Sequence, residues 1–130
     1  LVALEGYTLA PGVPARPGDT LELDLYWRAE RPIPDSYTVF NHVEQPGGGI
    51  VAQEDGLPLC GQRETTEWDP GELIVDRYRL PIRSDAPPGD YALLTGMYQA
   101  EGNYRLDVLG PDGAVLANAV QLTTITVAAQ

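Results

Sequence analysis

His42 is the chain's one imidazole and Cys60 its one thiol. Zinc takes three or four N, S or O ligands. One His, one Cys and scattered carboxylates without ligand spacing do not promise such a site. Calcium would want clustered oxygen ligands, and no D-x-D-x-D-G loop occurs. A Cys60–His42 dyad is conceivable as a nucleophile and base, but a lone cysteine in a β-rich chain reads better as a small packed residue. The two serines, Ser36 and Ser84, lie beside prolines in turns, away from any G-x-S-x-G elbow. Glu54 with Asp55, Glu64 with Glu67 and Asp69 with Glu72 are paired acids. A glycosidase needs two carboxylates facing each other across a cleft, one with a raised pKa. Neighbouring acids on a solvated loop meet neither condition. "PGGG" (46–49) lacks the lysine and following helix of a phosphate loop and reads as a turn. The expectation is a protein without catalytic residues, metal or cofactor.

Binding is the chemistry left over. Trp68 stands in "TTEWDPGE" with an acid on each side. A loop tryptophan among polar residues can stack on a pyranose, while carboxylates and amides accept its hydroxyls. It can equally plug a loop onto a sheet, and its place just before a strand favours the plug. The candidate ligand-binding set is Trp68, Gln53, Asp55, Glu67, Asp69 and His42, around the long loop 56–69.

The residues that must position these groups are extended. Twelve prolines and fourteen glycines punctuate short apolar runs, and the recurring period is two. "TLELDLYWRA" (20–29) sets Leu21, Leu23, Leu25 and Trp27 on one face. Further strands read at 1–9, 37–45, 50–55, 72–82, 91–100 and 119–128, with a turn-rich connector at 11–19 and a hairpin over 104–118. Eight or nine strands with regular turn signals predict an all-β, antiparallel sandwich, Ig-like or jelly-roll-like and without a disulfide; a small barrel is the alternative. At 130 residues one domain is expected, residues 1–130. The chain begins at Leu1 with strand-like sequence, which suggests a piece of a longer polypeptide.

In 37–45, Tyr37, Val39, Asn41 and Val43 form the more apolar set and are expected inside, leaving Asn41 in need of buried partners. Phe40 and His42 then share the outer face. Loop 56–69 is the expected cover over both, with His42 bonded to loop backbone or a loop carboxylate.

The net charge is −11, and all eight basic residues are arginine. Such a surface repels phosphate backbones and anionic lipid headgroups, so nucleic acid and direct membrane insertion are not expected.

"RPGDTLELDLYW", "YTVFNHV", "GGGIVAQEDGLPL", "TTEWDPGELIVDRYRLPI", "DAPPGDYALLTGMY" and "YRLDVLGPDGAVL" follow one another from about Arg16 to Val127. This ordered set resembles the C-terminal β-sandwich of bacterial multi-spanning membrane glycosyltransferases of the dolichyl-phosphate-mannose type, and of related surface proteins. Asn41 departs from it, being polar where such domains are usually apolar. The resemblance implies a location outside the cytoplasm, at the cell surface or envelope. It places catalysis in the membrane part and transfers no catalytic residue. The resulting expectation is a non-catalytic accessory or interaction domain whose partner is its parent polypeptide or another envelope protein. The alternative is a carbohydrate-binding module with a shallow glycan site. A strand completed by another chain is also conceivable, because the first and last strands are long and apolar.

Overall fold

Alternating side chains of period two can bury only one face, so strands of this kind must stack as two sheets. The computed structural model, which describes residues 1–10, 14–101 and 104–129, has this arrangement. The strands are β1 (Val2–Ala10), β2 (Thr20–Ala29), β3 (Thr38–Glu44), β4 (Ile50–Gln53), β5 (Leu73–Pro81), β6 (Gly89–Tyr98), β7 (Arg105–Leu106), β8 (Val108–Leu109), β9 (Val115–Ala117) and β10 (Val120–Val127). One sheet runs β5-β2-β1-β8-β9 and the other β10-β6-β3-β4, with β7 paired to the end of β6. The described residues form a β-sandwich with no long helix. None of their helices is long and apolar enough to cross a membrane. Cys60 is a free, exposed thiol.

Leu21, Leu23, Leu25 and Trp27 are buried together with Val39, Val43, Leu93, Met97 and Ile125 from the opposite sheet. Residues 11–13 of the connector lie outside the described residues. Beyond them, Ala15 accepts and donates backbone bonds along β10, partly covering that sheet edge.

Two expectations need correction. The sandwich is not wholly antiparallel, since β1 pairs with β8 in parallel. Nor is 104–118 one hairpin: β7 pairs with β6 in one sheet, and β8 pairs with β1 and β9 in the other. The chain changes sheets across the single residue Asp107, between inward-facing Leu106 and Val108, both buried. Two apolar side chains two residues apart can serve both halves of one core only if the backbone crosses it there.

Loop 56–69 does not lie over Phe40 and His42. Gly56 exchanges backbone bonds with Val39 at the end of β3, and the chain then turns toward β5. Two short 3-10 turns, Pro58–Gly61 and Thr65–Glu67, close the sandwich there. Buried Pro58, Thr65 and Trp68 draw the loop inward. Thr65 ties it down further, its hydroxyl accepting from Tyr37 N–H at 3.1 Å and donating to Asp35 C=O at 2.7 Å.

The first turn is anchored by a buried acid. In β5, Ile74, Asp76, Tyr78 and Leu80 point inward, and Asp76 is 1% exposed. Its Oδ1 accepts the Leu59 N–H at 2.9 Å. Leu59 and Cys60 both hold left-handed backbone, at φ 53° and 56°, a conformation costing about 1–3 kcal/mol per non-glycine residue. The Asp76 oxygen offsets part of that cost. Its other oxygen and the Trp27 indole nitrogen are buried without partners.

Burial pushes the Asp76 carboxyl above the ordinary carboxylate range; the Leu59 N–H opposes the rise without cancelling it. The folded state therefore holds this proton more tightly than the unfolded chain does. The stabilisation is complete below the unfolded pKa and is lost as pH rises through the folded one. Urea unfolding between about pH 4 and pH 7 should accordingly show wild type losing stability relative to Asp76→Asn as pH increases. A constant difference would mean that Asp76 titrates as a free carboxyl.

Candidate functional site

The outer face of the β3–β4–β6 sheet carries a shallow groove of about 410 Å³, lined by Phe40, His42, Gln53, Asp55, Tyr98 and Arg105. Register explains its make-up. On β3, inward Val39, Asn41 and Val43 leave Thr38, Phe40 and His42 facing out. His42 pairs with Gln53, Phe40 with Gly96, and Tyr98 with both Thr38 and Arg105. The β3–β4 register continues past the strand end through the Glu54–Asn41 and Gly56–Val39 backbone bonds. That continuation sets Asp55 beside Phe40.

Asn41 is fully buried and satisfied. Its Nδ2 donates to Glu54 C=O at 3.1 Å and its Oδ1 accepts the Thr95 hydroxyl at 2.9 Å. It therefore clamps the segment that presents Asp55, so a polar residue inside the core fixes a carboxylate on the outside.

Phe40 is the groove's floor. It is 2% exposed yet belongs to the outer face, separate from the inter-sheet core. Gly96 makes room for it: a Cβ there would stand 2.5 Å from two ring carbons. The Arg105 guanidinium carbon lies 4.8 Å above the ring centroid, and the His42 and Tyr98 rings flank it at 5.3 and 6.2 Å. The cover expected from loop 56–69 is supplied instead by β6 and β7.

Asp55 joins the polar groups. Its Oδ2 receives the Tyr98 hydroxyl and the Gln53 amide, each at 3.4 Å. Its Oδ1 stands 3.6 Å from His42 Nε2, and both atoms are buried without a hydrogen-bond partner. Burial, reinforced by the Asp55 charge, pushes the Tyr98 phenol up, so it remains a donor at neutral pH. All three contacts exceed the 2.7–3.2 Å of a well-made bond. The carboxylate is surrounded by donors and bonded tightly by none of them.

The six candidates from the sequence thus divide. His42, Gln53 and Asp55 converge in this groove. Trp68, Glu67 and Asp69 lie elsewhere. As a sugar platform Trp68 must be withdrawn: its ring is 3% exposed within the main core, and its indole N–H is spent on Arg63 C=O at 2.9 Å. Glu67 caps its own turn through Glu64 N–H, and Asp69 sits 3.8 Å from Arg63. Sequence reasoning missed Phe40 as a floor, and Tyr98 and Arg105 altogether. Alternation could have put Tyr98 outside, but no local signal pairs a two-residue strand at Arg105 with β6. Among the described residues no group of three or more His, Cys, Asp or Glu is placed to hold a metal ion.

Fold and groove together describe a two-sheet β-sandwich bearing a polar cleft on one outer face. Among solved structures, the crystal structure of the C-terminal domain of wzt is similar to it, with a TM-score of 0.60 and 14% identity over 100% of this chain and 78% of that one. At that identity the likeness is one of fold. No protein-family model matches the chain, and no curated protein matches it.

Proposed function

We propose that the chain is a non-catalytic glycan-binding module serving an envelope or surface protein, and that its site is the β3–β4–β6 groove rather than loop 56–69. The observation carrying this reading is Asp55, a half-buried carboxylate whose Tyr98, Gln53 and His42 contacts all stand at 3.4–3.6 Å. With Oδ1 buried against His42, Oδ2 is the oxygen to which a sugar hydroxyl can donate, while Tyr98 and Gln53, only loosely held there at 3.4 Å, serve its neighbours. The groove's openness and polarity suit hydroxylated ligands better than an apolar peptide. The absence of catalysis is part of the proposal: Asp55 is the one carboxylate among the lining residues, and sugar hydrolysis commonly takes two. Placement outside the cytoplasm, as part of a membrane glycosyltransferase or related surface protein, is supported by the sequence resemblance.

Affinity from a few such bonds should fall in about the millimolar to micromolar range. NMR titration with a panel of neutral and acidic oligosaccharides is expected to shift the His42, Gln53, Asp55 and Tyr98 signals. Asp55→Ala should weaken binding at least about tenfold, the loss of one charged hydrogen bond, while leaving the β-sheet circular dichroism unchanged. Shifts confined to the Trp68 loop, or none with any glycan, would refute the assignment.

A further inference from the structure

Arg105 is the unusual group in the groove. Arg28, Arg63, Arg77 and Arg83 all have carboxylate partners within ion-pair distance. Arg105 has none among the described residues, in a chain with nineteen acids. Arg16, Arg31 and Arg79 share that condition, but none of them lines the groove. The Arg105 guanidinium instead lies 4.8 Å over Phe40. This cation–π contact restrains the long side chain in advance, and among the described residues the exposed guanidinium makes no side-chain hydrogen bond, so its N–H donors are available to a carboxylate through two parallel bonds. Asp55 does not fill that role, because its oxygens are turned to Tyr98, Gln53 and His42.

We propose that the groove selects a glycan bearing a carboxylate, a uronic-acid type of sugar, with the acid group on Arg105 and adjacent hydroxyls on Asp55 and Gln53. This rests on the glycan-binding reading and adds the ligand's chemical class. The overall charge of −11 narrows the class further. A run of acidic residues on the ligand would be repelled by the rest of the surface. A phosphate monoester carries up to about two charges and would meet stronger repulsion from Asp55 than a single carboxylate does. The assignment is therefore one carboxylate at the groove, within an otherwise neutral glycan.

Calorimetry on the full chain tests this with uronic-acid-terminated oligosaccharides, the same oligosaccharides after carboxyl reduction, and a matched sugar phosphate. The acidic forms are expected to bind at least about tenfold tighter than their reduced counterparts, a factor of the size that one charge-assisted pair supplies. Arg105→Gln should abolish that gap, bringing the acidic forms down to the affinity of their reduced counterparts. Arg105→Lys should restore only part of it, because an ammonium cannot make the paired contact. Equal binding of acidic and reduced forms would overturn the carboxylate assignment and leave the glycan site standing. Tighter binding of the phosphate would overturn it as well. Failure of every sugar to bind would remove the glycan reading and this inference together.

Discussion

Trp68→Ala should lower stability by about 3–5 kcal/mol, the usual loss for truncating a buried tryptophan. The ring is 3% exposed and packed within the main core. Alanine leaves a cavity that the surrounding β-sheet cannot close. It also removes the indole N–H that satisfies Arg63 C=O at 2.9 Å, part of what holds the loop between Gly56 and Asp69 against the sandwich. For a chain of this length the melting temperature should fall by roughly 10 °C or more. Glycan titration of the surviving folded fraction should match wild type, because none of the groove-lining residues is Trp68. An unchanged melting temperature with lost glycan binding would reverse the assignment and restore Trp68 as a platform.

Gly96→Ala should damage stability and binding together. A methyl at this position would meet two Phe40 ring carbons at 2.5 Å and the Asn118 carbonyl oxygen at 2.9 Å. The backbone oxygen cannot easily retreat, so Phe40 must lift from the sheet. Overpacking of this kind costs about 1–3 kcal/mol. A raised ring also displaces Arg105, which lies over it, and crowds His42 and Tyr98 beside it. Loss of binding to every groove ligand is expected, along with a lower melting temperature. Gly96→Ala with Phe40→Leu, which shortens the obstructing side chain, should recover part of the stability. A fully stable, fully binding Gly96→Ala would mean that Phe40 is not the groove's floor.

The contrast between Gly96 and Trp68 shows how residue type misleads about role. Trp68 has the composition of a sugar-binding position and the surroundings of a core residue. In sequence Gly96 is one glycine in "LLTGMY", yet it sets the depth of the groove. Neither role is local. Whether a loop tryptophan faces water depends on where the loop closes, and here that depends on Asp76, seventeen residues beyond Leu59. Gly96 has its role because β3 happens to oppose Phe40 to it.

Short-range pattern alone determined the all-β class, most strand positions and the inward faces of β2 and β3. A side chain's face follows from counting by two along its own strand, and burial of apolar groups fixes which face turns inward. It also determined that Asn41 needs buried partners, since an unpaired amide in a core is costly. Tertiary structure alone decided which partners those are, and that in satisfying Asn41 they present Asp55 to His42. It decided that β7 and β8, two residues apart, belong to different sheets, and that Arg105 reaches Phe40 across a separation of sixty-five positions. Such pairings depend on sheet order and register, which are settled by how the whole core packs, and no stretch of a few residues contains that information.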